Sequence, residues 1–352
     1  MAAVDNANII NVLVVDDSAF MRNALKSMLS SDKEIKVIGT ANDGIEALEK
    51  IASLRPDVVT LDIEMPRMNG IETLKNIMEK MPLPVIMVSS LTTEGAKITL
   101  DALDMGAVDF IPKNLSELSI NIVKIKAVLV DKIKQFGRRK LRFVRRRVDV
   151  PEVFNKKPLP FTSARKMTLV VIGTSTGGPK ALQYVVPFLP ENFNLPVVIA
   201  QHMPPNFTGP FAERLNNLSR LTVKEAKDGD KITPGTVYIA PGMGHMSIEK
   251  VGIEKRIKIS QNKEYIYRPS VDLLMTSAAE HYPGSCLGVI LTGMGNDGLK
   301  GMTAIKKSGG RTISQDEDTC VIYGMPKAVV DAGMADKIVP LGDIAGEILN
   351  SV

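Results

Sequence analysis

Two sets of residues in this 352-residue chain have the types and spacing needed for chemistry. One is a group of carboxylates, Asp16, Asp17 and Asp62; the other is a GxSxG turn running from Gly173 through Ser175 to Gly177. Three carboxylates in one cleft repel one another and raise their own pKa values unless a cation neutralises them. Mg²⁺ suits that task, because it takes oxygen ligands and retains waters that phosphoryl oxygens can replace. A carboxylate so placed can attack a phosphoryl donor, with Lys113 stabilising the developing charge and the Ser89 hydroxyl donating to the product. The GxSxG turn serves a different purpose. It presents a serine hydroxyl on a tight strand-to-helix bend where glycines remove side-chain clashes.

The elements that must position these groups are legible in the alternation of β-rich runs and helical patterns. Residues 9 to about 130 give five strand–helix pairs, with strands at 11–16, 35–40, 57–62, 84–89 and 108–112. This is the pattern of a doubly wound α/β domain of flavodoxin-like (βα)5 form. In such a sheet ligands gather beyond the carboxyl ends of the strands. Asp16, Asp17, Asp62, Ser89 and Lys113 all fall there. The competing reading is that Asp16, Asp17 and Ser18 only cap the first helix. That helix carries Met21, Leu25, Met28 and Leu29 at helical spacing, an apolar stripe for a sheet.

A second doubly wound parallel α/β domain begins near Met167 with TLVVIG and continues with LPVVIAQ (195–201) and CLGVIL (286–291). Between them TVYIAP, HMSIE and RIKIS, separated by Gly and Pro turns, predict an antiparallel β insertion. Pro179 stands at the first turn of the helix after Ser175. A phosphate-binding loop is disfavoured because Pro179 interrupts the GK pair and Ala181 stands where a hydroxyl is needed.

A serine nucleophile needs a base, and the chain has three histidines. His281 ends a helical run, where it complements the helix dipole. His245 lies among glycines in PGMGHMS, which reads as a turn. His202 ends LPVVIAQ at the sheet edge that carries Ser175, so it is the candidate base. Asp297 in TGMGNDG follows CLGVIL at the same edge and is the candidate orienting carboxylate, with Asp272 in reserve. The order Ser, His, Asp differs from that of α/β-hydrolases.

Composition narrows the classes. With 44% hydrophobic and 24% charged residues the chain can build two cores, and no apolar run approaches the ~20 residues that span a bilayer. The N-terminus has no secretory-signal pattern, so a cytoplasmic location is expected. Cys286 and Cys320 are too few for a disulfide framework and read as buried thiols. The net charge of +5 hides an asymmetry: residues 132–166 carry +11, so the rest carries −6. This basic stretch, broken by Pro151, Pro158 and Pro160, reads as an interdomain linker over 131–166. It lacks a helix-turn-helix pattern, which argues against a nucleic-acid partner.

VLVVDDS, VVTLDIEMPRMNG, PVIMVSS and GAVDFIPK together resemble the response-regulator receiver domain, over 9–130. The resemblance implies that a partner histidine kinase phosphorylates Asp62, that Asp17, Asp62 and the Glu64 carbonyl hold Mg²⁺, and that Ser89 with Phe110 relays the change. Receivers usually place proline directly after the lysine; here Pro112 precedes Lys113 and Asn114 follows, which leaves the aim of Lys113 open. GTSTGGPKAL, QHMPPNFT, YIAPGMGHM, RPSVDLL, LTGMGNDGLKGM and VIYGMPKAV resemble the catalytic domain of the chemotaxis protein-glutamate methylesterase (CheB) family, over 167–352. That resemblance implies a Ser175–His202–Asp297 triad and an oxyanion site at the Thr176 and Met294 amides. It also implies hydrolysis of glutamyl methyl esters and deamidation of glutamines on methyl-accepting chemoreceptors in membrane receptor arrays. The esterase step needs no cofactor. The fusion leads to the expectation that the receiver covers the esterase cleft until Asp62 is phosphorylated. The alternative is a non-enzymatic, receiver-controlled module that binds receptors or drains phosphate.

Overall fold

The structure, a computed structural model, describes residues 9–113, 118–138, 166–262, 265 and 267–352, with backbone alone for 118–125. The chain forms two compact units, Met1–Arg147 and Val148–Val352.

The first unit alternates β1 (Ile10–Val15), α1 (Ala19–Ser30), β2 (Ile35–Ala41), α2 (Gly44–Leu54), β3 (Val58–Asp62), α3 (Gly70–Lys80), β4 (Val85–Ser90), α4 (Thr93–Met105), β5 (Asp109–Lys113) and α5 (Leu118–Arg138). All five strands are parallel, in the order β2-β1-β3-β4-β5. Val12 to Val15 and Val58 to Leu61 are buried without interruption, as a sheet covered on both faces requires. Met21, Leu25, Met28 and Leu29 of α1 are all buried against it, each fully buried side chain of this size stabilising by about 1.5–3 kcal/mol. Ser18 is the N-cap of α1, its hydroxyl accepting the Met21 amide at 3.4 Å; Asp16 and Asp17 lie before the cap. Helix α5 continues past residue 130 to Arg138, with Ile133 and Phe136 buried, and Lys132 paired with Asp109. The basic run beyond Arg138, the three linker prolines and Asn114 lie outside the described residues.

The second unit contains β6 (Leu169–Thr174), α6 (Gly178–Gln183), β7 (Val197–Gln201), α7 (Thr208–Leu218), β8 (Thr222–Glu225), β9 (Thr236–Ile239), β10 (His245–Val251), β11 (Glu254–Ser260), α8 (Val271–His281), β12 (Cys286–Ile290), α9 (Leu299–Lys307), β13 (Arg311–Gln315), α10 (Met325–Asp331), β14 (Lys337–Val339) and α11 (Ile344–Asn350). Seven strands make one parallel sheet, β14-β13-β12-β6-β7-β9-β8, and β10–β11 form a separate antiparallel hairpin.

The insertion is therefore smaller than the sequence suggested. TVYI joins the main sheet as β9, parallel to β7. Val237, Tyr238 and Ile239 are buried in succession, which suits a strand covered on both faces, whereas Met246 and Ile248 of β10 alternate with less buried Ser247 and Glu249. His245 likewise begins β10 instead of occupying a turn, and its ring is fully buried.

From β6 the chain builds outward through β7 to β9 and β8, then returns as β12 on the other side of β6 and builds outward again through β13. The loops leaving β6, β7 and β12 diverge at one sheet edge, the place where open α/β sheets collect ligands.

Candidate functional site

The register of the central strands brings the predicted residues together. Gly173 pairs with Ile290 of β12, and Thr174 with Gln201 of β7. Ser175 and His202 are thus the first residues past two adjacent strands, whose axes lie ~4.8 Å apart. The His202 amide donates to Thr174 O at 3.1 Å, the Ser175 amide to Thr292 O at 3.0 Å, and the Gly178 amide to Ser175 O at 2.8 Å. The bend needs glycine at 177, where φ is +78°. It also needs glycine at 293, where a Cβ would stand 2.9 Å from the Ser175 Cβ and 2.3 Å from the Met325 Sδ.

Asp297, in the loop after β12, lies with its Oδ2 2.7 Å from His202 Nε2. Its carboxylate also accepts the amides of Val271 at 2.8 Å and Asp272 at 2.9 Å and the Ser270 hydroxyl at 3.3 Å, so it sits on the N-terminus of α8. Burial pushes the Asp297 carboxyl up, but the His202 contact and the two amides outweigh it and hold the pKa below the usual carboxylate value. With Nε2 engaged, Nδ1 is the ring nitrogen left to take a proton, the reverse of the familiar wiring in which Asp holds Nδ1. The Ser175 hydroxyl makes no hydrogen bond to the ring among the described residues; contacts of this kind tighten when substrate binds. Tyr267 stacks on the imidazole with centroids 4.9 Å apart and planes 7° from parallel.

The other candidates take different places. Asp272 Oδ1 accepts the amides of Gly298 at 2.8 Å and Gly301 at 2.9 Å, at the start of α9. His281 ends α8. His245 accepts the Ser270 amide at Nδ1 (3.1 Å) and donates from Nε2 to Asn262 O (2.8 Å), and burial lowers its pKa. Thr176 is buried, its carbonyl accepting the Thr292 hydroxyl at 3.0 Å, while the Met294 amide meets no acceptor among the described residues. Sequence reasoning passed over Tyr267, Thr292 and Gln201; Gln201 adjoins His202 but belongs to no catalytic residue pattern.

At the edge of the first unit Asp16, Asp17 and Asp62 offer carboxylate oxygens within 4.8 Å of one another. Lys113 reaches this group without a following proline, its Nζ 2.6 Å from Asp62 Oδ2 and 3.1 Å from Asp16 Oδ2. Both oxygens are buried, and apart from this ammonium no donor among the described residues reaches them. Burial pushes the Asp62 carboxyl up to about 6; the Asp16 charge adds to the rise, while Lys113 and the Glu64 amide oppose it. Two buried carboxylates that share a single ammonium, with an exposed third, Asp17, beside them, are a donor set that fits Mg²⁺. Arg22 fixes the loop by donating to the carbonyls of Asp16 (2.8 Å) and Asp17 (2.9 Å). The Ser89 hydroxyl donates to Gly95 O at 3.3 Å and accepts from Thr99 at 2.7 Å, so it is engaged with α4, and Phe110 is buried on β5.

Comparison with known proteins bears on both units. Residues 170–348 match the CheB methylesterase family and residues 12–122 the response regulator receiver domain. A protein-glutamate methylesterase/protein-glutamine glutaminase of Nitratidesulfovibrio vulgaris is 49% identical over 97% of this chain and 99% of its own. One from Thermotoga maritima is 47% identical over 98% and 99%. The crystal structure of the Thermotoga maritima CheB methylesterase catalytic domain superposes on 53% of this chain and all of its own, with 44% identity and a TM-score of 0.52. A receiver fold in one unit and, in the other, a sheet edge where Ser175, His202 and Asp297 follow three adjacent strands, together with these full-length likenesses, place the chain in the CheB methylesterase family.

Proposed function

We propose that the chain is a phosphorylation-regulated protein-glutamate methylesterase that also deamidates glutamines on methyl-accepting chemoreceptors, in chemotactic adaptation. The observation that carries the chemistry is the 2.7 Å His202–Asp297 contact beside Ser175, on the neighbouring strand end. Ser175 attacks the ester carbonyl while His202 takes its proton at Nδ1. The oxyanion forms toward the Thr176 and Met294 amides. His202 then protonates the departing methanol, or ammonia from a glutamine, and a water activated by the same ring releases the acyl group. Asp297, held on α8, keeps the ring oriented and stabilises its charged form.

Asp62 accepts a phosphoryl group from a histidine kinase, with Lys113 beside it; Asp17, Asp62 and the Glu64 carbonyl would hold Mg²⁺. The ion, when bound, offsets the charge of the carboxylates and of the incoming phosphoryl group. Arg22 keeps the loop bearing Asp16 and Asp17 in place. Among the described residues no helix is long and apolar enough to cross a membrane. Work at cytoplasmic receptor arrays is the setting proposed from the likeness to protein-glutamate methylesterases. Methanol release from methylated receptors, with and without a phosphodonor, tests the reading. Parent protein should release methanol faster with the donor, Ser175→Ala should release none, and Asp62→Asn should lose the response; hydrolysis surviving Ser175→Ala would overturn the assignment.

A further inference from the structure

Beyond the ends of β6 and β7 the backbone ladder stops: its last rung is the His202 amide on Thr174 O at 3.1 Å. The next two carbonyls, those of Ser175 and His202, have no strand partner, and of backbone amides Ser175 O meets only that of Gly178 in its own turn, at 2.8 Å. Gln201 spans them. Its side-chain Nε2 donates to Ser175 O at 2.9 Å and to His202 O at 2.9 Å. Two carbonyl acceptors also settle which end of the carboxamide is nitrogen, since an oxygen there would face two oxygens.

The fork has a defined span. The hydrogens of a planar NH2 group diverge by about 120°, so linear bonds of 2.9 Å would span about 5 Å, close to the ~4.8 Å between neighbouring strands. Gln201 is 1% exposed, so neither bond competes with solvent. Its Oε1 is buried without a donor and occupies the space that a Cβ on Gly178 would need, 2.0 Å away. The unsatisfied Oε1 is a cost to the fold, so the residue is not explained by packing alone.

We propose that Gln201 is a positioning residue for the hydrolysis: its carboxamide extends the β6–β7 ladder by one rung and sets the spacing between nucleophile and base. This rests on the roles given above to Ser175 and His202. Buried at 1% exposure, Gln201 acts on the two strand ends and offers no surface to a substrate. Its loss is therefore felt in kcat, because a nucleophile and base misplaced by a fraction of an ångström forfeit the gain from orientation.

The test uses the full chain with methylated receptor membranes, comparing the parent with Gln201→Met, which keeps length and bulk but has no donor. Active sites are counted by titration with a fluorophosphonate, and kcat is expressed per titrated site. A residue that only supports folding would lower the number of sites and leave the rate of each unchanged. The expected result is a 10- to 100-fold fall in kcat per site, with KM within about threefold. A rate per site within twofold of the parent overturns the proposal. If Gln201→Met gives no titratable site, Gln201→Asn serves: it keeps the NH2 group one methylene short of both carbonyls, and a full rate per site there overturns the proposal equally. Ser175→Ala is run in parallel. Residual hydrolysis in that variant sinks the triad assignment, whereas its inactivity beside an unimpaired Gln201→Met sinks the positioning role alone.

Discussion

Asp272 and Asp297 hold each other's segments: Asp297 accepts the amides of Val271 and Asp272 at the start of α8, while Asp272 accepts those of Gly298 and Gly301 at the start of α9. The carboxylate beside His202 is thus fixed from both directions. Burial, with the nearby Asp297 charge, raises the Asp272 pKa even though two amides oppose the rise. Asp272→Ala should lower stability by about 1–2 kcal/mol through the lost cap and lower kcat about tenfold by loosening Asp297. Asp272→Asn keeps an accepting oxygen and should stay close to the parent. Denaturant melts and methanol release measure the two effects; equal damage from Asn and Ala would show that the cap is not the cause.

The lowered pKa of Asp297 has a pH consequence with a definite sign. An acid whose folded pKa lies below its ordinary 3.8 stabilises the fold above that value, and the contribution is lost as pH falls through the folded pKa. The parent should exceed Asp297→Asn in stability at pH 6, and the gap should shrink below pH 3.8. Paired melting curves across that range give the comparison, and a gap that widened on acidification would contradict the placement of Asp297.

Tyr267 covers one face of the His202 ring at 4.9 Å. An aromatic face restrains the plane of the imidazole and attracts its charged form, a contact of about 0.5–1 kcal/mol where the aromatic ring is exposed, as Tyr267 is. Tyr267→Ala should reduce kcat three- to tenfold, and Tyr267→Phe should restore most of it. Loss of equal size in both variants would point to the hydroxyl instead of the ring.

Lys113 is the cation lying against both Asp16 and Asp62, whose side chains are 0% and 2% exposed. Removing one partner from such a group typically destabilises by about 3–5 kcal/mol. Lys113→Ala should therefore unfold its domain early in EDTA, and Mg²⁺ should recover part of the loss. Urea melts with and without the ion are the check. A variant as stable as the parent in EDTA would mean that these carboxylates need no neutralising charge.

The central strands were readable because uninterrupted apolar runs announce buried parallel strands; the four spaced residues of α1 announced its buried face in the same way. TVYI was harder. Four residues of that kind fit a hairpin or a parallel strand equally, and only the neighbouring β7 decides between them. The strand ends pointed to Ser175, His202 and Asp297, while Asp272 stayed in contention because both acids lie at one edge; a 2.7 Å contact to the ring distinguishes them. Gln201 was invisible for a plainer reason: its role depends on two carbonyls that come together only after the sheet has formed. The Ser89 hydroxyl shows the converse: one residue before the end of β4, its bonds run to Gly95 and Thr99.

Strands β7, β6 and β12 are interior members of a seven-stranded sheet, with further strands on either side. Groups bolted to such a frame resist deformation, since shifting any one of them means sliding a hydrogen-bonded strand past its neighbours. A phosphorylation signal consequently has little purchase on the arrangement of the reacting atoms. The spacing of the reacting atoms should accordingly be the same whether or not Asp62 carries a phosphoryl group.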